Sequence, residues 1–217
     1  MTRETFHQEL REIEEAVIQM ASLVESSIAR AMQALLHHDT ILAEDVRQSD
    51  GMINELQRSI RNRCISVMAR QAPVARDLRE LTTIQLVINE LERMGDHSVS
   101  IARQVKRIPE IEPLPALGDL SEMAKLVQEQ VRNGIQAFID VNVQAARDVC
   151  AKDDEIDHLH SRIFTDLLER MSKDPSIIQL ATSLLFVSHD LERVGDRVTN
   201  ICEDVIYMVS GEIEELN

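Results

Sequence analysis

The sequence predicts an all-α protein built as two tandem antiparallel three-helix bundles, with six long helices in total. Three observations lead to this prediction. Apolar residues recur at helical spacing along most of the chain. Only six glycines and five prolines punctuate 217 residues, which favours long helices. Residues 91–96 and 191–196 both read Leu-Glu-Arg-x-Gly-Asp, and such a 100-residue repeat indicates two copies of one unit.

The first half is predicted to contain three helices. They run over residues 4–37, 41–70 and 74–107, and each carries one apolar seam at steps of three and four. Asp39 or Thr40 is the predicted N-cap of the second helix. Pro73 ends that helix, because proline lacks a backbone donor and crowds the preceding turn. The seam of the third helix consists of Ile84, Ile88, Leu91, Gly95, Ser98, Ala102 and Val105.

The second half is predicted to repeat this plan after a stiff linker. Residues 1–108 form the first predicted domain, 109–119 a linker rich in proline, and 120–217 the second domain. Helices are expected over residues 120–142, 143–172 and 176–210, with a break at Asp174-Pro175 and a C-cap at Gly211. The seam of the last helix consists of Leu184, Ser188, Leu191, Gly195, Val198, Cys202 and Val205.

Composition limits the classes of function. A net charge of -15 argues against nucleic-acid binding, which needs a basic footprint. No apolar run reaches the roughly 18 residues of a membrane span, so membrane contact is expected only through partners. Three cysteines without a Cys-x-x-Cys motif predict reduced core thiols, and the polar N-terminus is no signal peptide, so we expect a cytoplasmic protein.

The third and sixth predicted helices each carry an acidic stripe beside the apolar seam. The first acidic stripe is Glu92, Asp96 and Ser100, and the second acidic stripe is Glu192, Asp196 and Asn200. Acids four residues apart on a helix repel each other by roughly 0.2–0.5 kcal/mol. An unfavourable pattern that occurs twice is explained most simply by a bound cation.

Antiparallel pairing adds neighbours to each stripe. About turns near Ala72 and Asp174, Asp50 and Asn54 should flank the first stripe, and Asp153 and Asp157 the second. Four oxygen-bearing side chains would then meet in each half. Such donors suit magnesium, manganese or iron, and zinc is also kept as a candidate. The alternative is a solvated acidic face on which Arg93 and Arg193 form local ion pairs.

No enzyme motif accompanies these stripes. Glycines are too far apart for a phosphate loop, and the Gly-x-Ser-x-Gly nucleophile motif is absent. Glu-x-x-His occurs at residues 4–7 and 155–158, but not in the arrangement that di-iron bundles need. Gly95 and Gly195 lie in helix interiors on the seams, where close approach of a neighbouring helix explains them.

Three stretches resemble the PhoU family of phosphate-uptake regulators. They are residues 71–79 (Gln-Ala-Pro-Val-Ala-Arg-Asp-Leu-Arg), 89–96 (Asn-Glu-Leu-Glu-Arg-Met-Gly-Asp) and 189–200 (His-Asp-Leu-Glu-Arg-Val-Gly-Asp-Arg-Val-Thr-Asn). Length, repeat and linker also agree, so the resemblance covers nearly the whole chain. No counterpart of Pro-Val-Ala-x-Asp-Leu-Arg follows Pro175, so the turn between helices in the second half should differ.

The resemblance implies an all-helical fold whose Glu/Asp-x-x-x-Asp motifs bind metal clusters on the bundle surface. These motifs map onto Glu92 and Asp96 and onto Glu192, Asp196 and Asn200. Ser100 occupies the position that Asn200 has in the second half, and Asn54 the position that Asp157 has. The first half should therefore hold the weaker ligand set. The family represses the phosphate-starvation response by linking the ATPase subunit of the phosphate ABC transporter to a sensor histidine kinase. A homodimer is also expected.

The leading hypothesis is therefore a non-enzymatic regulator that docks on a transporter and a kinase. Two other classes of function stay open. One is a metal store or sensor with labile metal, and the other is a metal-free helical scaffold that binds basic partners. Metal stoichiometry separates the scaffold from the other two.

Overall fold

Helices form nearly all of the chain. A computed structural model describes residues 3–108 and 114–216, and over these residues it contains seven α-helices, one short 3₁₀ helix at Pro175–Ile177 and no strand. The α-helices are α1 (Arg3–Leu36), α2 (Thr40–Gln71), α3 (Arg76–Val105), α4 (Pro115–Ile139), α5 (Val143–Cys150), α6 (Asp153–Lys173) and α7 (Ile178–Ser210). The predicted all-α class and two-bundle architecture are confirmed: α1–α3 form one bundle, and α4, α5–α6 and α7 form the other.

Helix ends follow the local chemistry of the sequence. The Asp39 carboxylate accepts hydrogen bonds from the backbone N–H groups of Ile41 (3.0 Å) and Leu42 (2.9 Å), so Asp39 is the N-cap of α2. Ala72 ends α2 in the left-handed region, one residue before the proline. Gly211 ends α7 at φ 77°, and its N–H donates to the Tyr207 carbonyl.

The single helix predicted over residues 143–172 is wrong. Ala151 and Lys152 interrupt it and divide it into α5 and α6. The interruption is a tightened turn, because the Lys152 N–H donates to the Val149 carbonyl three residues back at 3.1 Å. Three acids, at 153–155, then occupy the first turn of α6, where the helix dipole favours negative charge.

The fourth helix also begins earlier than predicted. Pro115 occupies its first turn, a position that proline tolerates because no helical hydrogen bond is lost there. The last part of the predicted linker is therefore helical, and residues 109–113 lie outside the described residues. The proposed domain boundaries stay a prediction.

The predicted seams of α3 and α7 are buried at every position, and the apolar core they form continues through both halves. These two helices pack against each other in antiparallel orientation. His97 Nδ1 lies 3.0 Å from Asp190 Oδ1, and Arg197 lies 3.5 Å from Glu90 Oε2. The two pairs occupy corresponding positions of the 100-residue repeat, so the halves meet across a pseudo-twofold contact.

Predictions from the sequence also concern the cysteines and the helix surfaces. Cys64, Cys150 and Cys202 are buried, and none forms a disulfide. No helix in the described part of the chain combines the length and the apolarity that crossing a bilayer requires. The core thus positions α3 and α7 centrally, with α2 and α6 packed beside the acidic stripes.

Candidate metal centre

The second acidic stripe meets a buried carboxylate from α6. Asp153 is only 5% exposed, although it is an aspartate, and its Oδ1 accepts a hydrogen bond from Gln130 Nε2 at 2.8 Å. Gly195 creates the space: a Cβ at this position would lie 2.8 Å from Asp153 Oδ1. A Cβ at that distance would force the Asp153 carboxylate to shift, so the glycine in the Glu-Arg-x-Gly-Asp motif lets the neighbouring carboxylate approach.

Four carboxylates share the electrostatic field at this point. Burial raises the pKa of Asp153 to about 6, against the effect of the Gln130 hydrogen bond, and the charges of Asp157, Asp196 and Glu192 raise it further. Burial and then the charge of Asp196 raise the pKa of Asp157 as well. We call Asp153, Asp157, Glu192 and Asp196 the second acidic cluster. These are the neighbours that helix pairing predicted.

The first half repeats the arrangement more loosely. A Cβ at Gly95 would lie 3.4 Å from Asp50 Oδ1, and Asn54 Nδ2 donates to Asp50 Oδ2 at 2.8 Å. Burial and then the charge of Asp96 raise the pKa values of both Asp50 and Glu92. Asp50, Asn54, Glu92 and Asp96 form the first acidic cluster. In the first cluster, the neutral amide of Asn54 takes the place that the Asp157 carboxylate has in the second cluster.

Asn200, a predicted ligand of the second half, contacts the other half of the molecule. Asn200 Nδ2 is 3.4 Å from Glu90 Oε2, so this amide points toward α3 and the boundary between the halves. Ser100 is half-buried, one turn beyond Asp96. Near Asn200, burial and the charge of Glu90 raise the pKa of Asp204 to about 7. Glu90 and Asp204 thus form a third acidic region, which sequence reasoning did not predict.

The donor chemistry of the second cluster fits a cation, but the side chains are not arranged as a coordination shell. Glu192 Oε2 is buried without a hydrogen bond, although His189 Nδ1 lies 3.3 Å away, and all the acidic donors are oxygens. Asp196 instead pairs with Arg193 at 2.5 Å. Among the residues that the structure describes, no three His, Cys, Asp or Glu side chains are placed together as metal ligands. Arg193 contacts Asp196 through Oδ2, so a cation at this carboxylate would compete with Arg193 for that oxygen.

Gln130 is a site residue that sequence reasoning missed. It lies in α4, is 4% exposed, and holds Asp153 through its Nε2, while its own Oε1 is buried without a partner. The signal was a polar residue on the apolar face of α4, three positions after Val127 and one before Val131. A buried amide among aliphatic neighbours needs a polar partner, and here that partner is Asp153.

Comparison with known proteins gives one consistent result. The family model described as the PhoU domain matches residues 17–105 and 120–205. The chain is 37% identical over 218 residues to a "Phosphate-specific transport system accessory protein PhoU homolog" of Clostridium acetobutylicum, and the alignment covers 100% of both chains. It is 36% identical over 205 residues to the homolog of the same name in Aquifex aeolicus, covering 94% of this chain and 93% of that protein.

Solved structures show the same similarity. The crystal structure of the phosphate transport system regulatory protein PhoU from Streptococcus pneumoniae has a TM-score of 0.91 at 30% identity, covering 97% of this chain and all of that one. PhoU from Pseudomonas aeruginosa has a TM-score of 0.90 at 31% identity, covering 95% of this chain and all of that one.

The space at Gly195 can be tested by filling it. Gly195→Leu should lower the free energy of unfolding by about 1–3 kcal/mol, because the new side chain overlaps Asp153 and Ile156. Gly51→Leu is the matched control, since no atom lies within 4 Å of a Cβ there and leucine is the better helix former. Equal denaturation midpoints for the two variants would show that Gly195 is not a packing constraint.

The burial of Asp153 predicts a pH dependence in metal-free protein. Folding raises the pKa of Asp153 from 3.8 to about 6, so its contribution to stability is full below pH 3.8 and is lost as pH rises through about 6. Asp153→Asn should therefore stabilise the protein by on the order of 3 kcal/mol at neutral pH, and by little near pH 4. Denaturant titrations in chelator would measure this, with exposed Asp148→Asn as the control. A gain that does not depend on pH would contradict the assignment.

Proposed function

We propose that this chain, which belongs to the PhoU family, is a non-enzymatic accessory protein of phosphate transport that represses the phosphate-starvation response. The match of the PhoU domain to both halves carries this proposal, together with full-length relatives named as accessory proteins of the phosphate-specific transport system. An accessory role needs binding surfaces rather than a catalytic centre. The two acidic clusters and the absence of enzyme motifs in the sequence agree with that requirement.

The proposed partners are the ATPase subunit of the phosphate ABC transporter and a phosphate-sensing histidine kinase. The chain would work in the cytoplasm and reach the membrane through these proteins. A net charge of -15 suits complementary basic surfaces on the partners. The pseudo-twofold contact between α3 and α7 offers a fixed platform, since it joins the two halves through one continuous core.

We further propose that the acidic clusters bind divalent or trivalent metal ions such as iron, manganese, magnesium or zinc. Asp153, Asp157, Glu192 and Asp196 would hold the ion in the second half, and Asp50, Glu92 and Asp96 in the first. A bound cation would supply the positive charge that offsets repulsion among these carboxylates. It would also tie α6 to α7, and α2 to α3, and so stiffen the surfaces that partners contact.

Metal content of purified protein tests the ligand assignment. Protein prepared without chelator should contain metal, and Glu192→Ala/Asp196→Ala should lose the share bound by the second half. Glu15→Ala/Glu215→Ala removes the same charge at exposed positions away from both clusters and should leave the content unchanged. Elemental analysis by mass spectrometry gives the stoichiometry. Equal metal content in all three proteins would refute the assignment.

A gene deletion tests the regulatory role. Cells without this chain should express phosphate-starvation genes even when phosphate is plentiful, because the link from transporter to kinase is lost. Reporter expression in high and low phosphate measures this, and a plasmid copy of the wild-type gene should restore repression. Normal repression in the deletion strain would overturn the regulator proposal.

A further inference from the structure

An open apolar groove lies on the outer face of α6 and α7. Its volume is about 360 Å³, and it is lined by His160, Phe164, Thr182, Leu185, Phe186 and His189. Phe164 is 47% exposed and Phe186 is 51% exposed, so two of the four phenylalanines in the chain face outward at one place. Large aromatic side chains left in water next to each other are typical of a surface that a partner covers.

The internal repeat provides a comparison for this groove. Positions on α3 and α7 correspond at an offset of 100 residues. Those on α2 and α6 correspond at an offset of 103, because Gly95 meets Asp50 and Ile53 just as Gly195 meets Asp153 and Ile156. The first-half counterparts of the groove residues are Gln57, Arg61, Thr82, Gln85, Leu86 and Asn89.

The counterpart surface in the first half carries polar side chains that hydrogen-bond across it. Gln57 Nε2 donates to Asn89 Oδ1 at 3.1 Å, and Arg61 donates to the same oxygen at 2.6 Å. These residues replace His160, Phe164 and His189 of the groove. Two copies of one fold thus share the acidic clusters but differ here, where Phe164 and Phe186 of the second half replace Arg61 and Leu86 of the first.

One end of the groove adjoins the second acidic cluster. His189 Nδ1 lies 3.3 Å from Glu192 Oε2, and His160 follows Asp157 by three residues, about one turn, on α6. The surface therefore has an apolar floor and an acidic end. A partner that covers it gains from apolar side chains over Phe164 and Phe186. It also gains from positive charge next to the second acidic cluster, whose four carboxylates carry more charge than a bound divalent or trivalent ion would neutralise.

We propose that this groove docks an amphipathic helix of a partner protein, with large apolar side chains on one face and lysine or arginine one turn further along. A channel between two antiparallel helices accepts a third helix through anchors at i, i+3, i+4 and i+7. The inference deepens the proposed function by assigning the surface that meets a partner, and it rests on that function only for the partner's place in phosphate regulation.

Binding of a synthetic peptide tests the docking surface directly. The probe is a fluorescein-labelled amphipathic helix with leucine and phenylalanine anchors and a lysine flank, and its twin has glutamate in place of lysine. Fluorescence anisotropy should show binding of the lysine peptide and at least about tenfold weaker binding of the glutamate twin. Absence of binding, or equal affinity for the two peptides, would overturn the proposal.

Variants locate the binding. Leu185→Gln/Phe186→Leu gives the second half the identities found in the first half, and should weaken binding of the lysine peptide at least about tenfold. Leu86→Ala changes the corresponding first-half surface and should leave the affinity unchanged. Phe186 is half exposed, but Leu185 packs partly against the core, so circular dichroism and the melting temperature must show that both variants are folded. Phe186→Leu alone, which should also weaken binding, is measured beside them. An unchanged affinity in the Leu185→Gln/Phe186→Leu variant would place the binding elsewhere and refute the groove.

Sedimentation and repression in cells distinguish a docked partner helix from a second copy of this chain. If sedimentation shows a wild-type dimer that the Leu185→Gln/Phe186→Leu variant converts to a monomer, a second copy of this chain occupies the groove and the proposal is wrong. In cells, the same variant should lose repression of phosphate-starvation genes. Full repression by this variant, beside lost repression in the deletion strain, would overturn the groove and leave the proposed function standing.

Discussion

The close approach of a neighbouring helix at Gly195, and more loosely at Gly95, is the constraint on which the acidic surface depends. Without a Cβ at 195, the carboxylate of Asp153 enters the helix contact and lies beside Glu192 and Asp196. The apolar core supplies the free energy that keeps these like charges together, since the seams on either side of the glycine are fully buried. Burial, and then the charges of neighbouring carboxylates, raise the pKa of Asp153, so its ionised form is disfavoured in the folded protein.

The two halves form one pseudo-symmetric scaffold with unequal surfaces. Pairs at corresponding positions, His97 with Asp190 and Arg197 with Glu90, join α3 to α7 across the halves. Both halves keep a glycine and an acidic cluster, but only the second has a fully acidic donor set and an open aromatic groove beside it. In the function proposed above, the repeated element would set the fold and the charge, and the second half would supply the specific contact with a partner.

Much of this arrangement could be predicted from sequence because it depends on periodicity. The seams placed α3 and α7, and counting residues from the turns at Ala72 and Asp174 brought Asp50 and Asp153 to the correct neighbours. The break at 151–152 was missed because Val149 and Ile156 are seven residues apart, which is two helical turns, so the apolar spacing across the break still fits one helix. Gln130 was missed since its partner comes from another helix, and the exposure of Phe164 and Phe186 is a tertiary property that no local pattern contains.

The central claim is that the carboxylates beside Gly195 and Gly95 form metal centres. Anomalous X-ray diffraction from crystals grown with manganese or iron tests this claim most directly. The account predicts a strong peak at the metal absorption edge between Asp153, Asp157, Glu192 and Asp196. It predicts a weaker peak at the first acidic cluster. Crystals without a peak at either cluster would contradict it and leave the acids as a surface for basic partners.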